Sequence, residues 1–146
     1  MAVAFLAGVV PTAGAVPDPA SPTRMTALLR SETIGRTAHG RFYARIARRG
    51  DRAELVFNFT YSTTPFRWPW PGTAHIHLGW PGNGGRIVIR LCPETAICGF
   101  AFVRSESFRS TVLDVMRTRG AYVELHPTIA PRALALVGQI ELRYVT

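Results

Sequence analysis

His75 and His77 stand two residues apart in Thr73-Ala74-His75-Ile76-His77-Leu78, and His126 closes the run Ala121-Tyr122-Val123-Glu124-Leu125-His126. Alternate residues of a β-strand point to one face, so His75 and His77 share a face, as do Tyr122, Glu124 and His126. If the two strands are neighbours with those faces aligned, three imidazoles meet, with Glu124 as a fourth or supporting donor. Neutral imidazole is a good ligand for Zn²⁺ or Cu²⁺, and a donor set of this kind would hold such an ion. The competing reading is structural: histidines on a β face hydrogen-bond loop carbonyls and pin connections. A copper or zinc redox enzyme using the same histidines is the catalytic alternative. No nucleophile elbow, phosphate loop, paired catalytic carboxylates or zinc-protease helix is present.

Further candidates flank these strands. Trp68 and Trp70 precede the His75 segment and Trp80 follows it, all in Pro- and Gly-rich stretches. Loop tryptophans stack on sugar rings or anchor a protein partner, which makes carbohydrate or envelope-polymer binding a second function class. Cys92 and Cys98 flank five residues and suit a disulfide in an oxidising compartment.

The elements that must position these residues read as β. Phe42, Ala44 and Ile46 alternate with Arg41, Tyr43 and Arg45; Leu55, Phe57, Phe59 and Tyr61 repeat the pattern after the turn Arg48-Arg49-Gly50-Asp51, which predicts an antiparallel hairpin. Met25, Ala27 and Leu29 alternate before it. Strands are predicted at 74–78, 86–91, 99–103, 121–125 and 134–144, and one helix at Ser105–Arg119 with its stop at Gly120. The fold class is all-β, mainly antiparallel: a Greek-key-like β-sandwich or barrel with one short α-helix.

The chain has 146 residues and a formal net charge of +8, which suits one domain. Every cation is arginine, since the sequence has no lysine. Arg24, Arg30, Arg86, Arg104 and Arg143 fall on different elements, and only Arg41, Arg45, Arg48, Arg49 and Arg52 lie close in sequence. That scatter argues against a nucleic-acid binder and for a solvated basic surface or contact with anionic envelope polymers. Residues 1–15 read as a secretory leader, with a short apolar core and a small-x-small site at Ala13-Gly14-Ala15. Residues 16–24 read as a flexible lead-in and 25–146 as the β domain. No later segment has the length and apolarity of a transmembrane helix.

With these residues laid out, the chain resembles the CHRD (chordin-type) domain in its exported bacterial form. The resemblance rests on Ala74-His75-Ile76-His77, the glycine-rich loop before Arg86-Ile87-Val88-Ile89, Leu91-Cys92 with Cys98, Gly120-Ala121-Tyr122-Val123-Glu124-Leu125-His126, and Gly138-Gln139-Ile140. It spans residues 25–146. Glu124 stands where the family usually has Asn, and Leu134-Ala135-Leu136-Val137 where it usually has Gly-Glu-Ile-Arg. The resemblance implies an extracellular β domain and no particular reaction; the expected function is a secreted or envelope-associated, non-enzymatic binding or structural module, with an extracellular protein or polysaccharide as the partner class.

Overall fold

The computed structural model describes residues 22–31, 39–62, 71–92, 104–127 and 135–144. The leader, Trp68, Trp70, Cys98 and the strand expected at 99–103 lie outside them. Nine strands and one helix follow in chain order: β1 (Pro22–Ser31), β2 (His39–Arg49), β3 (Arg52–Ser62), β4 (Pro71–Leu78), β5 (Ile87–Cys92), β6 (Arg104–Arg109), α1 (Thr111–Arg119), β7 (Ala121–Pro127), β8 (Leu136–Gln139) and β9 (Glu141–Tyr144). All pairings are antiparallel, in the order β5-β4-β7-β8-β1-β2-β3-β6, with β9 also against β1. The two edges, β5 and β6, face each other across a concavity lined by Val88, Arg90, Ser107 and Phe108. The sheet is thus a nearly closed barrel, the all-β architecture expected. Among the described residues no helix is long and apolar enough to cross a membrane.

Period-two alternation builds the interior. In the β2–β3 hairpin Phe42 pairs with Phe59, Ala44 with Phe57 and Ile46 with Leu55, all facing in. The rings of Phe42, Phe57 and Phe59 pack with centroids 5.2–6.3 Å apart. Each such fully buried side chain stabilises the fold by roughly 2–3 kcal/mol. Gly50 makes the connecting turn at φ +60°, a conformation glycine adopts without steric cost. Leu113 and Met116 from α1 join the same core.

Three elements differ from the expectation. The helix begins at Thr111, and residues 105–109 of the expected helix belong to strand β6, paired with β3 from Arg52↔Arg109 to Phe57↔Arg104. Ser110 sits at the N-cap position without a side-chain cap bond. Its Oγ donates to the Gly50 carbonyl at 3.2 Å and its amide to the Asp51 carbonyl at 2.8 Å, tying the helix start to the β2–β3 turn. Tertiary pairing along the free edge of β3 overrides local helix propensity here. Replacing Ser110 with alanine is expected to cost about 1 kcal/mol, read as a lower urea midpoint at unchanged slope. The expected strand 134–144 is split at Ile140, whose amide donates to the Ala121 carbonyl at 2.8 Å. β1 starts at Pro22 rather than Met25.

β8 crosses β1 closely. A Cβ on Gly138 would stand 2.3 Å from the Leu28 carbonyl oxygen, so only glycine allows the approach.

Candidate functional site

β4 lies between β5 and β7, and β7 between β4 and β8. The inward residues of β4 and β7 are Ala74, Ile76, Leu78, Ala121, Val123 and Leu125, all buried in the core. The alternate residues therefore meet on the other face. His75 pairs in register with Glu124 and His77 with Tyr122, while His126 lies opposite Thr73. The geometric expectation is met in that all three imidazoles gather on one face. His75 stands with its ring centroid 5.9 Å from that of His77 and 5.7 Å from that of His126.

They do not form a metal centre. Among the described residues no group of three or more His, Cys, Asp or Glu side chains is disposed to hold a metal ion. The reason lies in what the donors already face. The His77 Nδ1–H donates to the Gly85 carbonyl at 2.7 Å. Its Nε2 faces Glu124 Oε2 at 3.1 Å. The second oxygen of Glu124 faces His126 Nε2 at 3.5 Å. The carboxylate thus stands between two rings as a shared acceptor, and the ring nitrogens do not converge on a common point at the ~2.1 Å that zinc requires. The reading of His75, His77, His126 and Glu124 as a zinc or copper site is overturned, and with it the copper or zinc redox alternative.

Gly85 is the latch of the site. Its carbonyl accepts from His77, and its amide donates to the Tyr122 hydroxyl at 3.2 Å. The His77 and Tyr122 rings stack, with centroids 4.8 Å apart and planes 9° from parallel. A Cβ on Gly85 would fall 1.8 Å from the Leu78 carbonyl oxygen, so the loop closes onto the end of β4 only because this residue has no side chain. The sequence alone assigns no role to Gly85 or to Tyr122. The shared face of Tyr122 and Glu124 was a signal for the tyrosine, whereas the glycine's role depends on the loop folding back.

Burial acts first on the ionisation of these groups. It pushes His75 down to about 4, helped by the positive charges of His126, His77 and Arg90 and opposed by Glu124. For His77, burial again disfavours the charged form, but the Glu124 carboxylate and the Gly85 carbonyl outweigh it and the pKa is raised. A carbonyl only accepts, so Nδ1 holds the proton in the neutral ring and the Nε2 lone pair then faces a carboxylate. Protonation removes that repulsion. Hydrogen bonding to His126 and His77 holds Glu124 well below the usual carboxylate range against the effect of burial. At neutral pH His75 is therefore neutral and Glu124 ionised, while the surroundings of His77 favour its charged form more than water does.

The groups line an open cleft of about 430 Å³, with Gly82, Gly84 and Ile87 on one side and Val137 on the other. Trp80, 61% exposed, stands on the loop after β4 and does not line it. Trp68 and Trp70, the other two tryptophans of the expected sugar platform, lie outside the described residues. Cys98 lies outside the described residues; Cys92 is buried at the end of β5 and is not a free thiol. No family model, curated protein or solved structure matches the chain.

Proposed function

We propose that the chain is a CHRD-type module, working outside the cytoplasm, that binds a neutral hydroxyl-bearing ligand such as a sugar residue in the His75–Glu124–His126 cleft. The observation that carries this reading is the half-buried Glu124 carboxylate held between two imidazoles on the face opposite the core. Packing does not require it there, because Ile76, Val123 and Leu125 fill the interior independently. A half-buried charge network is costly unless its hydrogen-bonding groups are used. Here one carboxylate stands among three imidazoles, so the cleft presents hydrogen-bond donors and acceptors side by side. That suits hydroxyl groups better than an ion. The Ala-His-Ile-His and Ala-Tyr-Val-x-x-His pattern supports the CHRD assignment, and the leader-like residues 1–15 support export.

Titration with neutral tetrasaccharides of glucose and of N-acetylglucosamine, followed by the imidazole C–H resonances, tests the reading. Saturable shifts at His75 and His126 are expected, with affinity at least about tenfold weaker in Glu124→Gln, the loss of one charge-assisted hydrogen bond. Resonances that stay fixed at millimolar ligand overturn it.

A further inference from the structure

Arginines that are far apart in sequence come together on the outer face of β9, β1 and β2. The register sets Arg143 opposite Arg24, and Arg24 opposite Arg45, so three guanidinium groups lie in one row across three strands. Arg30 and Arg41 extend the same face. Only one carboxylate, Glu141, occurs on these strands, and it pairs with Arg143. Arg45 has a hydrogen bond to Tyr43. Like charges directly opposite on neighbouring strands, ~4.8 Å apart, are destabilising. A folded sheet that keeps such a row has an unmet demand for anions.

The shape of the face narrows the choice of partner. Two shallow concavities flank the Leu28–Arg41 rung, one of about 510 Å³ towards Arg30 and Thr60 and one of about 380 Å³ towards Tyr43 and Arg143. Leu28 rises between them, 60% exposed. Six residues of strand separate Arg24 from Arg30, roughly 20 Å. The pattern is apolar ridge, hollows on each side and forked cations around them. A guanidinium binds carboxylate or sulfate through two parallel hydrogen bonds, and an exposed leucine packs against the apolar face of a pyranose ring. Nucleic acid is served less well. Among the described residues no helix of this face is shaped to enter a duplex groove, and no row of exposed aromatics offers the stacking platform of single-strand binders.

We infer that the β9–β1–β2 face is a binding site for a linear anionic polysaccharide, with Arg24, Arg45 and Arg143 holding its acidic groups and Leu28 seating a sugar ring. The site is separate from the His75 cleft, and neither depends on the other.

Binding of the full chain to immobilised dextran sulfate and polygalacturonate, measured from 50 to 300 mM salt, tests the site. Neutral dextran and duplex DNA serve as comparisons. The exposed-residue triple variant Arg24→Ser/Arg45→Ser/Arg143→Ser is expected to weaken binding to the acidic glycans at least tenfold and to lower the salt slope by roughly one per arginine. Arg117→Ser/Arg119→Ser, on the helix, should leave both unchanged. Leu28→Ser should weaken glycan binding several-fold with the salt slope intact, which a mere ion-exchange surface would not show. Melting temperatures confirm that each variant is folded. Equal losses in the helix variant, no effect of Leu28→Ser, or tighter binding to DNA than to the acidic glycans would overturn the proposal.

Discussion

Alanine at Gly138 is expected to lower the unfolding free energy by about 3 kcal/mol, at the upper end of what overpacking usually costs. The added methyl would stand 2.3 Å from the Leu28 carbonyl oxygen, 2.9 Å from its carbonyl carbon and 3.0 Å from Leu29 Cδ2. Two of these three atoms are backbone. Leu28 is held in the β1–β2 ladder opposite Arg41, and Leu29 is buried in the core. Relief therefore means moving β1 away from β8 and loosening the Arg30↔Val137 and Ser31↔Leu136 pairs. Urea unfolding measures the effect. Gly84→Ala is the comparison: it has a positive φ of +61° but nothing within 4 Å, so only backbone strain of about 1 kcal/mol is at stake. A Gly138→Ala loss no larger than that of Gly84→Ala would show that β8 and β1 are farther apart than described.

Stability is expected to peak near pH 6.5 and to fall on both sides, because two neighbouring histidines shift in opposite directions. His75 is held down to about 4 against an ordinary value of 6.5. Between those values the unfolded chain binds the extra proton, so stability falls as pH drops from 6.5 towards 4. The full shift corresponds to roughly 3 kcal/mol, and solvent screening of a half-exposed ring reduces this to about 1 kcal/mol. His77 is raised above 6.5. Its contribution is fully present below 6.5 and is lost as pH rises through its folded value. Glu124, held below 4.5, adds a further loss as pH falls beneath 4.5. Melting temperatures from pH 4 to 9 should trace the peak. His75→Asn should flatten the limb between 6.5 and 4.5, and His77→Asn the alkaline limb. If His77→Asn leaves the alkaline limb intact, the Gly85–His77–Glu124 contacts do not carry it.

Much of this arrangement was legible in the residues. The alternation of Phe42, Ala44 and Ile46 against Leu55, Phe57 and Phe59 is enough to set the hairpin and its inner face. The i, i+2 spacing of His75 and His77, and of Glu124 and His126, is enough to align them once β4 and β7 pair. What spacing cannot carry is which way each ring nitrogen faces. The Gly85 carbonyl reaches His77 only because the loop folds back, and Glu124 comes between two imidazoles only through the β4–β7 register; those two facts turn an apparent metal site into a hydrogen-bonded network. The start of α1 was misread because Ser105 and Ser107 suit a helix start as well as they suit a strand edge, and the free side of β3 decides between them. The arginine row was invisible for a similar reason. Arg24, Arg45 and Arg143 look scattered along the chain, and the pairing of β1 with both β2 and β9 brings them together.

That double pairing also governs how the molecule comes into being. β1 meets β2 across a short connection, but its other side waits for β8 and β9, more than a hundred residues later between Ser31 and Leu136. The local hairpins can zip early, while the two halves of the sheet join only when the two ends of the described chain find each other. Contacts of such long sequence separation give folding times of milliseconds to seconds rather than microseconds. Until closure, one side of β1 presents bare amides and carbonyls, and the guanidinium row exists only in part. Charge repulsion along that strand then works against self-association of the half-built barrel.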